Sequence, residues 1–493
     1  MTSLTFYGGV GEIGGNKILL EEGKTKIFFD FGMSFKQNDQ FFSEFIQPRK
    51  ANGLGDFIAL DLIPMPSWYS GLYRSDFLKH DGRKTSNEAM FDGVFISHAH
   101  LDHMGYITLL HEKAEIYSSE ISYCIMKTLE ETGTGSFNDF TNYSRCFEYV
   151  PKKRGEGVIR GRGLKDKRKC NIFNSNTGFE IGDVKIKTAY VDHSLQGACG
   201  YIAETSAGNV VYTGDLRFHG YRSDNTEGFV KLAADASPRV LLCEGTRIDE
   251  GKGLTEEGVK ERINEVIVKT KQLVAVNFPA RDTDRLNTFF DAAKENGRKL
   301  VISLKQAYLL ELLKDIEDSK VPKIENKDLL IYGKKKSWGL VAEEVDTKEK
   351  QKDYASWERG FLEKENFVTH KDISGMQKDV VFYLDNYSIQ ELVNIKPEKG
   401  SCYIRSMCEP FDIEMEIDWN RIKNWLERFN LEEIHQIHAS GHASGEELKE
   451  LIEEINPEII FPIHTKDPAR FNEILDGERI KIVLPEKKKP YSL

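Results

Sequence analysis

The sequence predicts a layered α/β protein with two lobes, on three observations. Between residues 91 and 245, short β-type runs (GVFIS, AEIYSS, VKIKTAYV, GNVVYTGD, RVLLCEG) alternate with helical stretches such as YITLLHEK and ISYCIMKTLEE. Residues 255–271, 283–297 and 305–318 have helical periodicity and flank the strands LVAVNF and KLVIS, a βαβ rhythm. At 493 residues and 40% hydrophobic content the chain exceeds what one core holds, since single cores stop growing near about 250–300 residues.

Taken in order, residues 1–35 alternate apolar and polar around Gly-rich turns (LTFYGG, KILLEE, KIFFDFG) and predict strands in a meander. Residues 36–90 are aromatic-rich and irregular, with Pro64, Pro66 and Trp68, and predict a long loop packed over a site. A charged helical stretch at 418–430 precedes the strand EIHQIHAS, the helix GEELKELIEEI and the strand EIIFPIH. There is no internal repeat.

Composition excludes several classes. The start MTSLTFYGGVGEIGG lacks a basic n-region with an apolar stretch behind it, and no window approaches the roughly 20 apolar residues of a membrane span, so a soluble, non-secreted protein is expected. Seven cysteines without a CxxC pair give neither a disulfide framework nor a zinc knuckle, and fit a reducing cytoplasm. The net charge of −11 argues against coating nucleic acid by bulk electrostatics and leaves room for a local basic groove. The segment 152–169, with nine Lys/Arg against two acids, reads either as a solvated loop or as an arm on a phosphate backbone.

The chemistry is carried by Phe95-Ile96-Ser97-His98-Ala99-His100-Leu101-Asp102-His103-Met104-Gly105. Three imidazoles and one carboxylate within six residues, after an apolar strand and before a helix, form a dense set of borderline ligands suited to zinc or manganese. In an extended stretch His98 and His100 point the same way and can face one metal, while Asp102 and His103 at the turn can reach a second. His193 in AYVDHSLQG and Asp215 in VVYTGDLRF add ligand-type residues where strands end. Two other motifs are rejected. Gly9-Val10-Gly11-Glu12-Ile13-Gly14 fits a dinucleotide fingerprint, but a strand, turn and strand follow where that fold needs a helix. Asp30-Phe31-Gly32 copies a kinase motif without its catalytic loop.

His-x-His-x-Asp-His, then a strand-end His, then an Asp in a TGD turn, with Asp30 in FFDFG, resembles the metallo-β-lactamase superfamily. YGGVGEIGGNK, LCEGT, NFPARDTDRLNTFFDAAKENGRKLVIS, HASGHASGEEL and FPIHTKD are similar to its β-CASP branch, specifically the ribonuclease J group. The resemblance implies an αββα metallo-β-lactamase sandwich with an inserted β-CASP α/β domain: residues 1–246 as the first part, 247–425 as the insertion and 426–493 as the return. It implies one metal on His98, His100 and His193, another on Asp102, His103 and His464, and Asp215 bridging. Two divalent ions, zinc first and manganese second, would activate a hydroxide for attack on phosphorus. His442, paired with Glu244, resembles the general acid; the alternative is a phosphate hydrogen bonder.

Ser440, Gly441 and Ser444 form a small-residue turn ahead of a helix, the kind of place that holds a phosphate, and in the resembled group this segment helps hold the 5′-terminal monophosphate of RNA. His438, Arg281 and Arg285 join them as candidate phosphate contacts. The expected activity is a metal-dependent ribonuclease, exonuclease from the 5′ end, endonuclease or both, on single-stranded RNA. The alternatives are a DNA-repair nuclease of the same branch, a small-molecule metallo-hydrolase and a non-catalytic scaffold. The resemblance also implies a homodimer, though the chain stops before the C-terminal domain that many members use to oligomerise. About 90 residues separate His103 from His193, so 136–170 counts, with 36–90, as an insertion without an assigned role.

Overall fold

In a computed structural model, residues 1–493 are described apart from 44, 153, 161–164, 342–343, 411 and 476–478. Part of the basic segment, at 153 and 161–164, therefore lies outside the described residues.

Contacts divide the chain into two units, Met1–Phe218 with Arg222–Lys252 and Gly441–Leu493, and His219–Tyr221 with Gly253–Ser440. The first unit is the expected αββα sandwich. Its meander forms as predicted: Thr2–Gly8, Lys17–Glu22 and Thr25–Phe29 pair antiparallel in sequence order. Gly93–Phe95, Glu115–Ser119 and Lys169–Phe173 extend this sheet on one side and Pro490–Ser492 closes the other, giving seven strands. The second sheet, also of seven, runs in the order Gly178–Ile181, Val184–Tyr190, Cys199–Thr205, Gly208–Tyr212, Val240–Glu244, Ile459–Ile463, Lys481–Ile482.

Alternation along the strands decides which faces meet. In TKIFF, Ile27 and Phe29 turn inward with Leu4, Phe6 and Phe95 to pack on Ile186, Tyr201, Tyr212, Leu242 and Ile463 of the other sheet. Phe29 stacks on Tyr201 and Tyr212, with ring centroids 5.9 and 5.3 Å apart. Phe28, of opposite parity, packs outward on Phe31, Trp68 and Phe91. The outer face of the second sheet is covered by the helices Ser223–Asp235 and Gly445–Ile455 through Phe229, Val230, Leu448, Leu451 and Ile452.

The second unit holds a third seven-stranded sheet whose recorded pairings are all parallel. Its inner strands are buried on both faces, as near-continuous runs such as VAVN and VVFY require. Val274, Val276, Leu300 and Ile302 pack under the helices Glu256–Lys269, Thr283–Glu295 and Leu304–Leu313, and Ala275, Val301 and Phe382 under Leu392–Ile395 and Ile413–Arg428.

Four expectations are corrected. The return to the first unit was expected at 426, but Glu433–Gln436 pairs in parallel with Cys402–Arg405, so its strand finishes the third sheet and the change of unit falls after Ser440. YITLLHEK forms a single 3-10 turn at Ile107–Leu109 instead of a helix. The helix expected at 418–430 begins at Ile413, because the Asp412 side chain caps it by accepting from the Met415 N–H. The 36–90 region carries short helices at Phe35–Asn38, Gly55–Ala59 and Ser75–His80. No helix among the described residues is long and apolar enough to cross a membrane.

Leu242 is fully buried between the two sheets. Leu242→Ala is expected to lower the unfolding free energy by about 2–5 kcal/mol, read from chemical denaturation.

Candidate metal centre

Every ligand-type residue singled out in the sequence comes to one place in the first unit, because each stands just beyond the end of a strand. His98 follows Gly93–Phe95, with His100 at the N-terminal cap of the turn Leu101–Met104 that carries Asp102 and His103. His193 follows Val184–Tyr190, Asp215 follows Gly208–Tyr212, Glu244 ends Val240–Glu244 and His464 follows Ile459–Ile463. These strand ends belong to both sheets of the sandwich and lie at one edge of it, so residues hundreds of positions apart become neighbours.

Three sets of ligand atoms lie within 4.8 Å of one another: His98, His100 and His193; Asp102, His103 and His464; and His98, His103 and Asp215. A fourth joins Asp215, Glu244, His442 and His464. Asp215 belongs to two of the four sets, as do His98, His103 and His464. Asp215 Oδ2 is 3.0 Å from His103 Nε2, 3.5 Å from His464 Nε2, 3.7 Å from His98 Nε2 and 4.0 Å from His442 Nδ1.

Four of the imidazoles are anchored at Nδ1, which fixes the tautomer and turns Nε2 toward the centre. His103 donates to Asp30 Oδ2 at 2.7 Å and His193 to the Gly441 carbonyl at 2.6 Å. His464 donates to Thr246 Oγ1 at 2.8 Å, and that hydroxyl donates onward to the His464 carbonyl at 3.3 Å. Ser97 Oγ gives its hydrogen to Asp30 Oδ2 at 2.7 Å and so accepts from His98 Nδ1 at 3.1 Å. Asp30 also accepts from Tyr212 Oη at 2.5 Å, and Asn16 Nδ2 donates to Tyr212 Oη at 3.0 Å.

This donor set fits a divalent cation. Asp215 Oδ1 is buried with no hydrogen-bond partner. His98 Nε2 and His193 Nε2, whose rings carry their hydrogens on Nδ1, converge on His100 Nδ1 at 2.8 and 3.1 Å, an arrangement of lone pairs that a cation relieves. Burial, helped by the neighbouring imidazoles, pushes His98 and His193 well down, so both are neutral and ready to bind metal. Burial acts against the charge of Asp215, but His103 and His464 hold it well below the usual carboxylate range.

The glycine-rich opening has a use unlike the rejected dinucleotide motif. Gly14, at φ +79°, lies against Asp102, where a Cβ would come within 2.6 Å of Oδ2. Gly9 accepts from the His464 N–H at 2.8 Å, and His464 itself adopts φ +51°, a costly conformation for a histidine. Gly441 is needed for close approach, since a Cβ there would meet Ser194 Oγ at 2.9 Å and His193 Cε1 at 3.0 Å.

His442 Nδ1 lies 3.0 Å from Glu244 Oε2 and 3.1 Å from Oε1, and Glu244 Oε1 accepts from the Leu216 N–H at 2.9 Å. Burial lowers the His442 pKa, but the Glu244 carboxylate, then Asp215, outweighs it and raises the value to about 9. The two residues paired in the sequence reading are therefore paired in space.

The candidate phosphate contacts divide. Ser444 is fully buried as the cap of Gly445–Ile455, with its N–H and hydroxyl both on Glu447 Oε2, so it is a helix cap and is not exposed to a ligand. Arg285 is also fully buried, bridged to Glu256 at 2.8 Å and donating to the Ser406 carbonyl and hydroxyl, which makes it an internal brace and not a surface contact. His438 is tied to that brace, 3.3 Å from Arg285 Nη1. Ser440 is half-buried, its carbonyl accepting from His219 Nε2 at 3.0 Å, and Arg281 is half-buried ahead of Thr283–Glu295. Sequence reasoning missed Thr246, Ser97, Tyr212 and Asn16. All four lie inside quoted motifs, but nothing in spacing marks a hydroxyl or amide as the anchor of a particular imidazole.

A family model described as "Zn-dependent metallo-hydrolase RNA specificity domain" matches residues 427–484. Ribonuclease J 2 of Streptococcus pyogenes is 21% identical over 92% of this chain and 68% of its own length, and ribonuclease J of Mycoplasma pneumoniae 22% identical over 94% and 68%. The chain is ribonuclease J-like. A crystal structure of a protein of unknown function from Enterococcus faecalis shares the fold of this ribonuclease J-like chain, with a TM-score of 0.72 and 21% identity over the whole of both chains.

Thr246→Val removes the anchor of His464 without touching a ligand. In this ribonuclease J-like site it is expected to weaken divalent-metal binding about 10–100-fold, measured by competition with a chromophoric chelator.

Proposed function

We propose that this chain is a metal-dependent ribonuclease that hydrolyses phosphodiester bonds of single-stranded RNA. The observation that carries the reading is the Asp215-centred cluster of imidazoles and carboxylates with the His442–Glu244 pair beside it. The matched RNA specificity domain and the ribonuclease J relatives support RNA as the polymer. In this reading His98, His100 and His193 hold one divalent ion and Asp102, His103 and His464 the other, with Asp215 shared; zinc suits the nitrogen-rich set and manganese is the second choice. Such ions, when bound, polarise the phosphoryl oxygen and lower the pKa of water toward about 7.

The chain's own residues do the rest. The anchors at Nδ1 hold the ligand rings in place without reorganisation during the reaction. His442, kept protonated at neutral pH by Glu244, gives its proton to the leaving 3′-oxygen, and Glu244 stabilises the charge and orients the ring. The Ser440–Gly441 turn, two residues after His438, receives a phosphate, and a 5′-terminal monophosphate is the group this reading assigns there. A homodimer and a cytoplasmic setting go with the same reading, the latter supported by seven cysteines that are all free thiols.

The test incubates metal-loaded protein with 5′-monophosphorylated RNA labelled at either end, beside DNA of the same sequence, and resolves products by length. Mononucleotides from the 5′ end or discrete internal cuts, with RNA alone, are expected. Asp102→Ala is expected to abolish cutting with the fold intact, and His442→Ala to lower kcat about 10²–10⁴-fold with metal still bound. Cleavage of DNA alone would move the chain to the repair nucleases, and an active, folded Asp102→Ala protein would sink the metal assignment.

A further inference from the structure

The two insertions without a role in the sequence, 36–90 and 136–170, pack on one another within the first unit and enclose a cavity of about 430 Å³ lined by Lys50, His80, Ser136, Cys146, Phe147 and Tyr149. None of these residues belongs to the metal centre. The floor is aromatic: the Phe147 ring lies flat on the His80 imidazole, centroids 3.8 Å apart and 6° from parallel, and edge-on to Phe77 at 5.9 Å. Phe137 joins Phe77 to Phe57, at 6.0 and 5.0 Å. The walls are braced from inside. Arg74, 1% exposed, lies 4.1 Å over the Phe77 ring and donates to the Ser144 carbonyl at 2.5 Å. Glu130 accepts from the N–H groups of Phe140, Thr141 and Asn142 at 3.0, 2.7 and 3.1 Å.

Above the cavity stands a two-stranded ribbon, Tyr149–Pro151 paired antiparallel with Val158–Arg160. Tyr149, Val158 and Ile159 are 65%, 59% and 47% exposed, although a ribbon this short is marginal in water without partners for its apolar side chains. Its turn carries Lys152 and Arg154, both exposed and without an ion-pair partner among the described residues. The insertion is rooted beside the metal motif, since the buried Arg168 donates to the carbonyls of Thr108 and Leu110 at 3.1 and 3.3 Å, a few residues beyond His103.

A nucleotide-sized cavity with a flat aromatic floor, an exposed tyrosine at its rim and unpaired cations next to it is the combination that takes single-stranded nucleic acid: stacking for the base, positive charge for the backbone. On a chain of net charge −11, an unpaired basic turn beside an exposed tyrosine ring is complementary to a phosphodiester strand. We propose that this cavity and ribbon form an RNA subsite that holds one base of the single-stranded substrate against Tyr149 and Phe147 and its flanking phosphates against Lys152 and Arg154. The proposal rests on the RNA reading of the metal centre.

The test compares metal-loaded wild type with Tyr149→Ala and with Lys152→Glu/Arg154→Glu, all exposed positions whose replacement leaves the packing intact. Each is assayed on an RNA of about 20 nucleotides and on the small diester bis(p-nitrophenyl) phosphate. The expected result is a KM for RNA raised about 5–20-fold, with kcat and turnover of the small diester unchanged. The charge-reversed protein also loses about 1.4 from the slope of log affinity against log salt, two phosphates at about 0.7 each. Ser136→Trp, which fills the cavity from an exposed position, is expected to raise the KM for RNA in the same way. Unchanged KM and salt slope in variants of a protein that cuts RNA would overturn the subsite and leave the RNA reading standing. Slower turnover of the small diester would mean that the changes act on the metal centre, and would overturn the subsite as well. A wild type that neither binds nor cuts RNA would overturn both readings.

Discussion

Buried at 2% exposure, the Asp215 carboxylate has ring nitrogens of His103, His464 and His98 within 3.7 Å of one oxygen, while its other oxygen has no hydrogen bond. A buried anion costs several kcal/mol unless something compensates it. The need to surround this group governs the first unit. Compensation requires donors from several strands at one point, which holds if the strands end at the same level and their sheets keep a fixed separation. The inner layer of Phe29, Tyr201, Tyr212 and Leu242 sets that separation, so core packing and metal chemistry are parts of one constraint.

The anchors outside the ligands show how the scaffold carries the cost. Asp30 accepts from the Ser97 hydroxyl, His103 and Tyr212, and so ties the segment after Gly93–Phe95 to the end of Gly208–Tyr212 through one carboxylate. Asp30 and His464 both adopt positive φ, at +58° and +51°, conformations that cost on the order of 1–3 kcal/mol for such residues. Each is held by several hydrogen bonds, so the strain sits where surrounding contacts over-determine it. The same logic accounts for His442: a buried imidazole loses its proton by itself, and the Glu244 carboxylate reverses that preference.

Much of this was legible in the sequence where the signal is local. His98 through His103 stand in one run, and period-2 alternation gave the meander. His464 and Glu244 came from resemblance, because a single residue after a strand has no spacing to mark it. Arg285 and Ser444 were misread for a physical reason: a charge or hydroxyl near a turn reads as surface chemistry until its partner is known, and Glu256 and Glu447 are the partners. The return boundary failed similarly, since the strand EIHQIHAS has the same pattern in either sheet and its pairing with Cys402–Arg405 is a tertiary choice.

The insertions mark the far limit of sequence reading. Phe57, Phe77, Phe137 and Phe147 lie up to 90 residues apart and obey no common period, so their meeting is invisible until the chain is folded. Once they meet, they supply what the isolated segments lacked: a hydrophobic floor that holds irregular backbone in place, with Arg74 and Glu130 collecting the polar groups that such backbone leaves behind. An acidic body that works on phosphodiesters cannot rely on its overall field, which repels the substrate. Positive charge has to be raised locally on a support stiff enough to be useful, and a basic ribbon on an aromatic base, rooted by Arg168 to the backbone beyond the metal motif, meets both requirements.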